Sequence, residues 1–273
     1  MNEVIIRPKP KWKLIDFAEL WRYRELLYIF TWRDIKVRYK QTILGILWVI
    51  FQPLVTMFIF TFFFGNLAKI SSGELPYSLF SLCGLVFWTF FSGSVSHASD
   101  SMVVNENIIK KVYFPKILLP LSAITTSFVD FIINVFLLFS YALILGFVPQ
   151  LIGLLIFPLG IILTAITAFG LGLFLSSFNV KYRDVRYILP FFIQILLFFT
   201  PVIYPLAIIS ERNRIIMALN PMTAVVELTR FVFDPQYTIY PSLIMISIFS
   251  SLLLLLFGLW YFRKTEQFFA DIV

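Results

Sequence analysis

Charged residues are scarce in this sequence: Asp, Glu, Lys and Arg together make up 14% of the 273 residues. A soluble domain carries about 25% charged residues, so the water-soluble globular class is excluded. The single cysteine, Cys83, allows no internal disulfide and no cysteine-rich metal site, and the single histidine, His97, has no neighbouring ligand. We therefore expect no metal site. The sequence contains no G-x-x-x-x-G-K-[ST] pattern, so we expect no ATP hydrolysis by a P-loop in this chain.

Long apolar runs take the place of charge, with 60% hydrophobic residues and a mean hydropathy of +0.90. No hydrophilic stretch is long enough for a separate soluble domain, so residues 1–273 predict one all-α integral membrane domain. We divide it into a cytoplasmic arm with an amphipathic interfacial helix (1–42), a membrane region (43–262) and a cytoplasmic tail (263–273).

Six apolar runs in the membrane region predict six transmembrane helices. They cover residues 43–64, 77–95, 121–147, 151–178, 187–204 and 238–262. The fifth run contains Pro190, Pro201 and Pro205, so we expect it to kink and then turn back into the membrane. The segment that follows is amphipathic. Asn220-Pro221 divides it into two half-inserted external helices, predicted at 211–219 and 222–233.

The distribution of positive charge predicts the orientation. Of the 22 Lys and Arg residues, 18 lie in the arm, the tail and two polar islands at 100–120 and 179–186. The opposite side of the membrane receives the other four. Because cytoplasmic loops collect Lys and Arg, this bias predicts that both termini are cytoplasmic.

The arm contains a charged and aromatic stretch, residues 16–41, that we interpret as one or two helices on the cytoplasmic leaflet. Thr31 is a candidate break, and Trp21 and Trp32 are expected at the depth of the lipid headgroups. Arg38 interrupts the apolar face. The alternative is a soluble helix that packs against a partner protein.

The island at 100–120 separates the second and third spans. It contains a predicted helix at 103–113 that is terminated by Pro115. A short rigid helix between two spans suits a contact that transmits movement from a partner, whereas the simpler interpretation is a solvated loop. The second basic island, 179–186, lies on the same predicted side.

Asp130 is the clearest acidic residue within a span, and Asn134 lies one turn later on the same face. An intramembrane carboxylate suggests a functional role such as a proton relay. A lone carboxylate beside Thr126 and Asn134 is more often hydrogen-bonded between helices, and we favour that interpretation.

Two stripes of mixed aromatic and polar residues follow helical spacing, and they could line a wide amphipathic conduit. The stripes are Trp48, Gln52 and Thr56 on the first span, and Tyr187, Phe191, Gln194 and Phe198 on the fifth. The alternative is that these side chains face lipid.

Four motifs occur in order along the chain: residues 33–53 (RDIKVRYKQTILGILWVIFQP), 105–120 (NENIIKKVYFPKILLP), 178–205 (FNVKYRDVRYILPFFIQILLFFTPVIYP) and 219–230 (LNPMTAVVELTR). Together they resemble the permease subunit of ABC-2 type polysaccharide exporters. These include O-antigen, capsule and teichoic-acid export permeases, and the O-antigen type is the most similar.

The resemblance implies a homodimer in the bacterial inner membrane that exports a polysaccharide linked to polyprenyl diphosphate. A separate ATPase subunit would bind ATP and Mg²⁺, so this chain is expected to hold no cofactor and to contact no nucleic acid. The segment after Tyr204 would cap the external mouth. The implied ATPase-coupling residues are Asn105, Glu106, Asn107, Ile108, Lys110, Lys111 and Tyr113 in the first island, and Lys181, Tyr182, Arg183 and Asp184 in the second.

Arg33, Arg38 and Lys40 are candidates for binding the diphosphate headgroup, because Arg contacts phosphate through two parallel hydrogen bonds. The alternative is that they serve only the positive-inside rule. Other functions stay open. One is an ion-coupled lipid flippase that acts alone, and another is a membrane enzyme such as a polyprenyl glycosyltransferase. Within the ABC-2 class, an exporter of a small lipid or a drug is the nearest alternative.

Overall fold

The computed structural model describes residues 16–40, 45–266 and Phe269, and this part of the chain is helical without strands. Residues 1–15 of the predicted cytoplasmic arm and the start of the first predicted span at 43 lie outside it. The α-helices are α1 (Phe17–Arg22), α2 (Arg24–Lys40), α3 (Ile46–Phe60), α4 (Tyr77–Val104), α5 (Glu106–Lys111), α6 (Leu118–Ile144), α7 (Leu151–Lys181), α8 (Val185–Phe199), α9 (Glu211–Ala218), α10 (Met222–Phe231) and α11 (Pro241–Glu266).

Five helices are long and apolar enough to cross a membrane: α3 with its π-helical extension Thr61–Leu67, α4, α6, α7 and α11. The chain is therefore a multi-pass membrane protein. Helix α8, which replaces the fifth predicted span, has only 15 residues. At 1.5 Å per residue it is about 22 Å long, less than the ~30 Å of the hydrocarbon core. It ends before Thr200-Pro201, because a residue before proline disfavours the helical conformation.

Helix α4 forms the centre of the molecule. In the most apolar 18-residue stretch of α4, 78% of the residues are buried inside the protein. The corresponding share in the other four long helices is 11–39%. Helices α6 and α7 pack along it, and α3, α8 and α10 contact it as well. The other helices are therefore arranged around α4.

Small residues bring α7 and α11 into close contact. A Cβ atom added to Gly258 would lie 2.0 Å from the backbone oxygen of Gly170. One turn away, Thr167 Oγ1 donates a hydrogen bond to Ser251 Oγ at 3.0 Å. Glycine at both positions permits this backbone approach, as is common between helices in membranes.

The structure corrects the boundaries of the first island. Helix α4 does not end near Val95 but continues to Val104, and the predicted 103–113 helix is the shorter α5. The polar residues at the end of α4 stay helical because they pack on α7. There, Asn179 Nδ2 donates to the Ser99 carbonyl at 3.0 Å.

Two further boundaries differ from the prediction. The interfacial stretch is broken at Tyr23 and not at Thr31, which is buried within the continuous helix α2. The first span continues past Phe64 because its last turns widen into a π-helix that ends at Leu67. The predicted break at Asn220-Pro221 is confirmed by the separation of α9 from α10.

Candidate functional site

The basic islands, α2 and the end of α11 meet at one end of the molecule, which we call the basic end. An apolar cluster joins them: Phe30 of α2 lies 5.5 Å from Phe114 between ring centroids, and Phe262 of α11 lies 5.4 Å from Phe269. Ile109 of α5 is buried in the same cluster. The predicted interfacial helix and the predicted coupling helix therefore share one core.

Helix α5 presents a charged face on a buried support. Asn105, just before it, is buried, and its Nδ2 donates to the Ser101 carbonyl at 2.7 Å. Tyr113, just after it, is 74% exposed. Of the other predicted coupling residues in this island, Asn107, Lys110 and Lys111 are exposed, and Glu106 and Ile108 are half-buried. The structure thus places a rigid protrusion at the basic end.

The second predicted contact, the exposed stretch Lys181, Tyr182, Arg183 and Asp184, is held at the same end through Asp100 of α4. The Asp100 carboxylate accepts a hydrogen bond from Asn179 Nδ2 at 3.0 Å and pairs with Arg186 Nε at 3.3 Å. These contacts fix the turn between α7 and α8 beside the end of α4. Both islands can therefore face one partner.

The headgroup candidates differ in their surroundings. Arg33 donates to the neighbouring Asp34 carboxylate at 2.7 and 2.9 Å, and Lys40 is exposed. Arg38 instead reaches from α2 to Asp130 of α6 and forms an ion pair with it. The Arg38 side chain points into the protein, where Asp130 neutralises its charge. This explains why an arginine lies on the apolar face of α2.

Asp130 is hydrogen-bonded between helices, as we favoured, but its partners come from α2 rather than from Thr126 or Asn134. Arg38 and Tyr39 each donate to one carboxylate oxygen. Burial and the Asp130 carboxylate raise the pKa of Tyr39, so this hydroxyl stays protonated and remains a donor. Arg38 Nη2 also lies 2.7 Å from Nε2 of His97 on α4.

A cavity of about 370 Å³ opens beside this ion pair, between α3, α4 and α6. Trp48 and Gln52 of the first stripe line it together with Arg38, Asp130 and Asn134. On the outer side of Arg38, an open groove of about 610 Å³ runs between α2 and α5. The Arg38 side chain can therefore be reached from the cavity on one side and from the groove on the other.

The two predicted conduit stripes lie on the surface of the protomer. Trp48 and Gln52 are exposed and Thr56 is half-buried on α3. On α8, Tyr187, Phe191, Gln194 and Phe198 are all exposed. Helices α3 and α8 both pack against α4, and each stripe points away from it. In a single copy of the chain, this surface encloses no conduit.

The opposite end holds a buried ion pair that the sequence did not lead us to expect. Arg230 of α10 has a fully buried side chain, and its Nη1 donates to Glu227 Oε1 at 3.0 Å. Its Nη2 donates to the carbonyls of Pro201 and Val202 at 2.5 and 3.1 Å. Its guanidinium carbon lies 3.4 Å from the ring centroid of Phe80. Helix α10 and the turn after α8 are thereby fixed on α4.

Tyr237 completes this group, since its hydroxyl donates to Glu227 Oε1 at 2.8 Å. Burial raises the pKa of Glu227, and the charge of Arg230 opposes that shift. One available signal was the i, i+3 spacing of Glu227 and Arg230 on a helix without other charges, because such a pair can neutralise itself when buried.

Comparisons with known proteins agree with this architecture. The profile of the ABC-2 type transporter family matches residues 25–233. The O-antigen export system permease RfbA of Klebsiella pneumoniae is 30% identical over 250 residues, which cover 91% of this chain and 95% of the relative. RfbA of Myxococcus xanthus is 28% identical over 217 residues, 79% of this chain and 82% of the relative.

A third relative is the polysialic acid transport protein KpsM of Escherichia coli. It is 25% identical over 243 residues, which cover 86% of this chain and 91% of the relative. The family match extends from α2 to the residues just after α10, so it includes α5, the 181–184 turn and the Glu227–Arg230 pair but not α11. The chain belongs to the ABC-2 type transporter family and is a membrane permease subunit of that family.

Proposed function

We propose that this chain is the membrane half of an ATP-driven exporter that moves an O-antigen-like polysaccharide, linked to polyprenyl diphosphate, across the bacterial inner membrane. Two relatives are O-antigen export permeases and one transports polysialic acid. The chain covers most of the length of each. All three relatives are named for a polysaccharide, and this agreement supports the proposed substrate class.

The observation that carries the proposal is the construction of α5. Its apolar side is fixed in the core of the basic end by Ile109, while Lys110 and Lys111 point outwards. A force applied to α5 would reach α2, α4 and α6 through that core. Such a helix suits a contact with a separate ATPase subunit, and the 181–184 turn beside it offers a second contact.

We further propose that the basic end and both termini lie in the cytoplasm, and that two copies form the exporter. The exposed stripes on α3 and α8 need a second copy to become the wall of a conduit. Aromatic rings suit a sugar polymer, because they stack on apolar sugar faces without demanding one hydrogen-bond pattern.

The proposal is tested by purifying the tagged permease from its native membrane, identifying the proteins that accompany it, and measuring ATPase activity and export in vesicles. We expect a stoichiometric P-loop partner. Changing Lys110 and Lys111 to Glu should weaken the contact between α5 and the ATPase. A loss of about 1.4 kcal/mol in coupling free energy corresponds to a factor of ten, so we expect export to fall at least about tenfold while the ATPase remains active.

Arg212→Glu is the matched control, because Arg212 is an exposed cation at the opposite end. It should leave export unchanged. Normal export by the Lys110/Lys111 variant would remove α5 from the coupling mechanism. A preparation without any ATPase, whose export stops when ion gradients are dissipated, would instead indicate the ion-coupled flippase.

A further inference from the structure

Arg38 is the point at which three helices meet. From α2 it pairs with Asp130 of α6, and its Nη2 lies 2.7 Å from His97 Nε2 of α4. Tyr39 donates to the other oxygen of the same carboxylate. The Asp130 carboxylate therefore accepts hydrogen bonds from both Arg38 and Tyr39, and these contacts link the end of α2 to α6.

The ion pair stands between two cavities. The Arg38 and Asp130 side chains are 28% and 21% exposed, so solvent reaches them. The cavity of about 370 Å³ contains Asp130 and Asn134, and a second one of about 230 Å³ contains Asp100. Arg38 and His97 line both. Moving the Arg38 side chain would thus join the two spaces.

Asn134 supplies an independent sign of a ligand. It lies one turn after Asp130, lines the larger cavity and is only 4% exposed. Within the described part of the chain, its Oδ1 has no hydrogen-bond partner. Leaving a buried amide oxygen unsatisfied is unfavourable, and a half-turn of the side-chain amide would place Nδ2 there instead, as a donor to an anionic ligand in the cavity.

We propose that Arg38, His97 and Asn134 form a binding site for a diphosphate group, and that Asp130 is the built-in competitor for that site. Phosphate and carboxylate both offer two oxygens to the guanidinium fork, so one can replace the other. The inference rests on the proposed function, because it takes this group to be the diphosphate of the lipid carrier.

The other nearby carboxylates do not compete for Arg38, since Asp34 is paired with Arg33 and Asp100 with Arg186. When a diphosphate replaces Asp130 on Arg38, α2 loses its ionic contact with α6. Binding of the substrate headgroup would then release the interfacial helix at the basic end. A lipid without such an anionic group would leave the Arg38–Asp130 pair intact.

The test uses the full chain in lipid nanodiscs and measures the affinity for farnesyl diphosphate and for inorganic pyrophosphate. If Arg38 and Asp130 are paired in at least about 80% of molecules, Arg38 is free to bind a ligand in at most about 20% of them. Removing the competitor with Asp130→Asn should then raise the affinity about fivefold or more. Arg38→Met should abolish binding, with or without Asp130→Asn. Asp184→Asn removes an exposed carboxylate at the same end of the molecule and is the control for general charge, so it should change the affinity less than about twofold.

Equal gains for both probes place recognition in the diphosphate, and a gain for farnesyl diphosphate alone adds the isoprenyl tail to the site. Both outcomes support the proposal. Tyr39→Phe provides a milder variant that keeps every charge, and it should raise the affinity by a smaller factor. A loss of affinity in Asp130→Asn, or a gain no larger than that of Asp184→Asn, would overturn the competitor role.

Export by the complex is measured in parallel, so that the two proposals fail separately. If wild-type protein exports polysaccharide but binds neither probe, the diphosphate site is wrong and the exporter stands. If the probes bind as expected but the complex moves no polysaccharide, the proposed function is wrong and the site stands.

Discussion

The two ends of the molecule each hold an Arg–carboxylate pair, and the pairs differ in burial. At the opposite end, the side chains of Arg230 and Glu227 are 0% and 7% exposed. At the basic end, those of Arg38 and Asp130 are 28% and 21% exposed. The first pair also has its remaining hydrogen-bonding capacity filled by backbone carbonyls, whereas the second lies beside an open cavity.

The difference shows how one chemical pair can serve two purposes. A buried pair leaves an uncompensated charge when one partner is removed, so the Arg230 pair favours a single arrangement of α10 on α4. A pair that solvent reaches can exchange partners at little cost. We therefore infer that the end with α10 stays fixed and that the basic end, where the ATPase is proposed to bind, is the one that changes.

The largest expected effect comes from breaking the buried pair. Arg230→Met leaves Glu227 without its cation and removes the donors to Pro201 and Val202. We expect a loss of about 3–5 kcal/mol in stability, seen as a lower unfolding temperature and a lower yield of monodisperse protein in detergent. A second change, Glu227→Leu in the same chain, should restore part of it. Wild-type stability in Arg230→Met alone would contradict the fixed-end assignment.

Glu227→Gln should have a smaller effect, of about 1–3 kcal/mol, because Gln still accepts hydrogen bonds from Arg230 and Tyr237. This change keeps those hydrogen bonds and removes only the charge that balances Arg230, whereas Arg230→Met also removes the donors to Pro201 and Val202. Thermal unfolding of both variants in the same detergent provides the comparison. An effect larger than that of Arg230→Met would reverse this order.

The sequence predicted most of the long helices but neither of the two Arg–carboxylate pairs. Four of the six apolar runs became α3, α6, α7 and α11 with modest changes at their ends. Arg38 and Asp130 were each noticed as unusual, but 92 positions separate them, and their pairing depends on how α2 packs on α6. Local patterns contain no information about that packing.

Other differences have a similar origin. The polar residues that suggested an end for the second span near Val95 are stabilised by contacts with α7, such as that of Asn179 with Ser99. Arg230 is one of the four cations assigned to the opposite side of the membrane, and the structure buries it against Phe80. In both cases a tertiary partner, distant in sequence, decides the environment of the residue.

For the solvent-reachable pair, we expect Asp130→Asn to lower stability by about 1 kcal/mol or less, because Asn can still accept from Tyr39. The measurement is the same thermal unfolding assay. A loss as large as that of Arg230→Met would mean that the two pairs are equivalent, and the contrast between the ends would disappear.

The smallest effect should come from Arg186→Gln. The Arg186 and Asp100 side chains are 46% and 44% exposed, and Asn179 continues to bond Asp100 when Arg186 is removed. We expect less than about 0.5 kcal/mol, with a further decrease at high salt. A salt-independent loss would show that this pair is more enclosed than its exposure indicates.

Hydrogen–deuterium exchange of the wild-type complex tests the contrast between the ends most directly, with and without farnesyl diphosphate. We predict that diphosphate speeds exchange at the backbone amides of α2 and leaves those of α10 unchanged. Faster exchange in α10 with an unchanged α2 would contradict the account, because the fixed and changing ends would then be reversed.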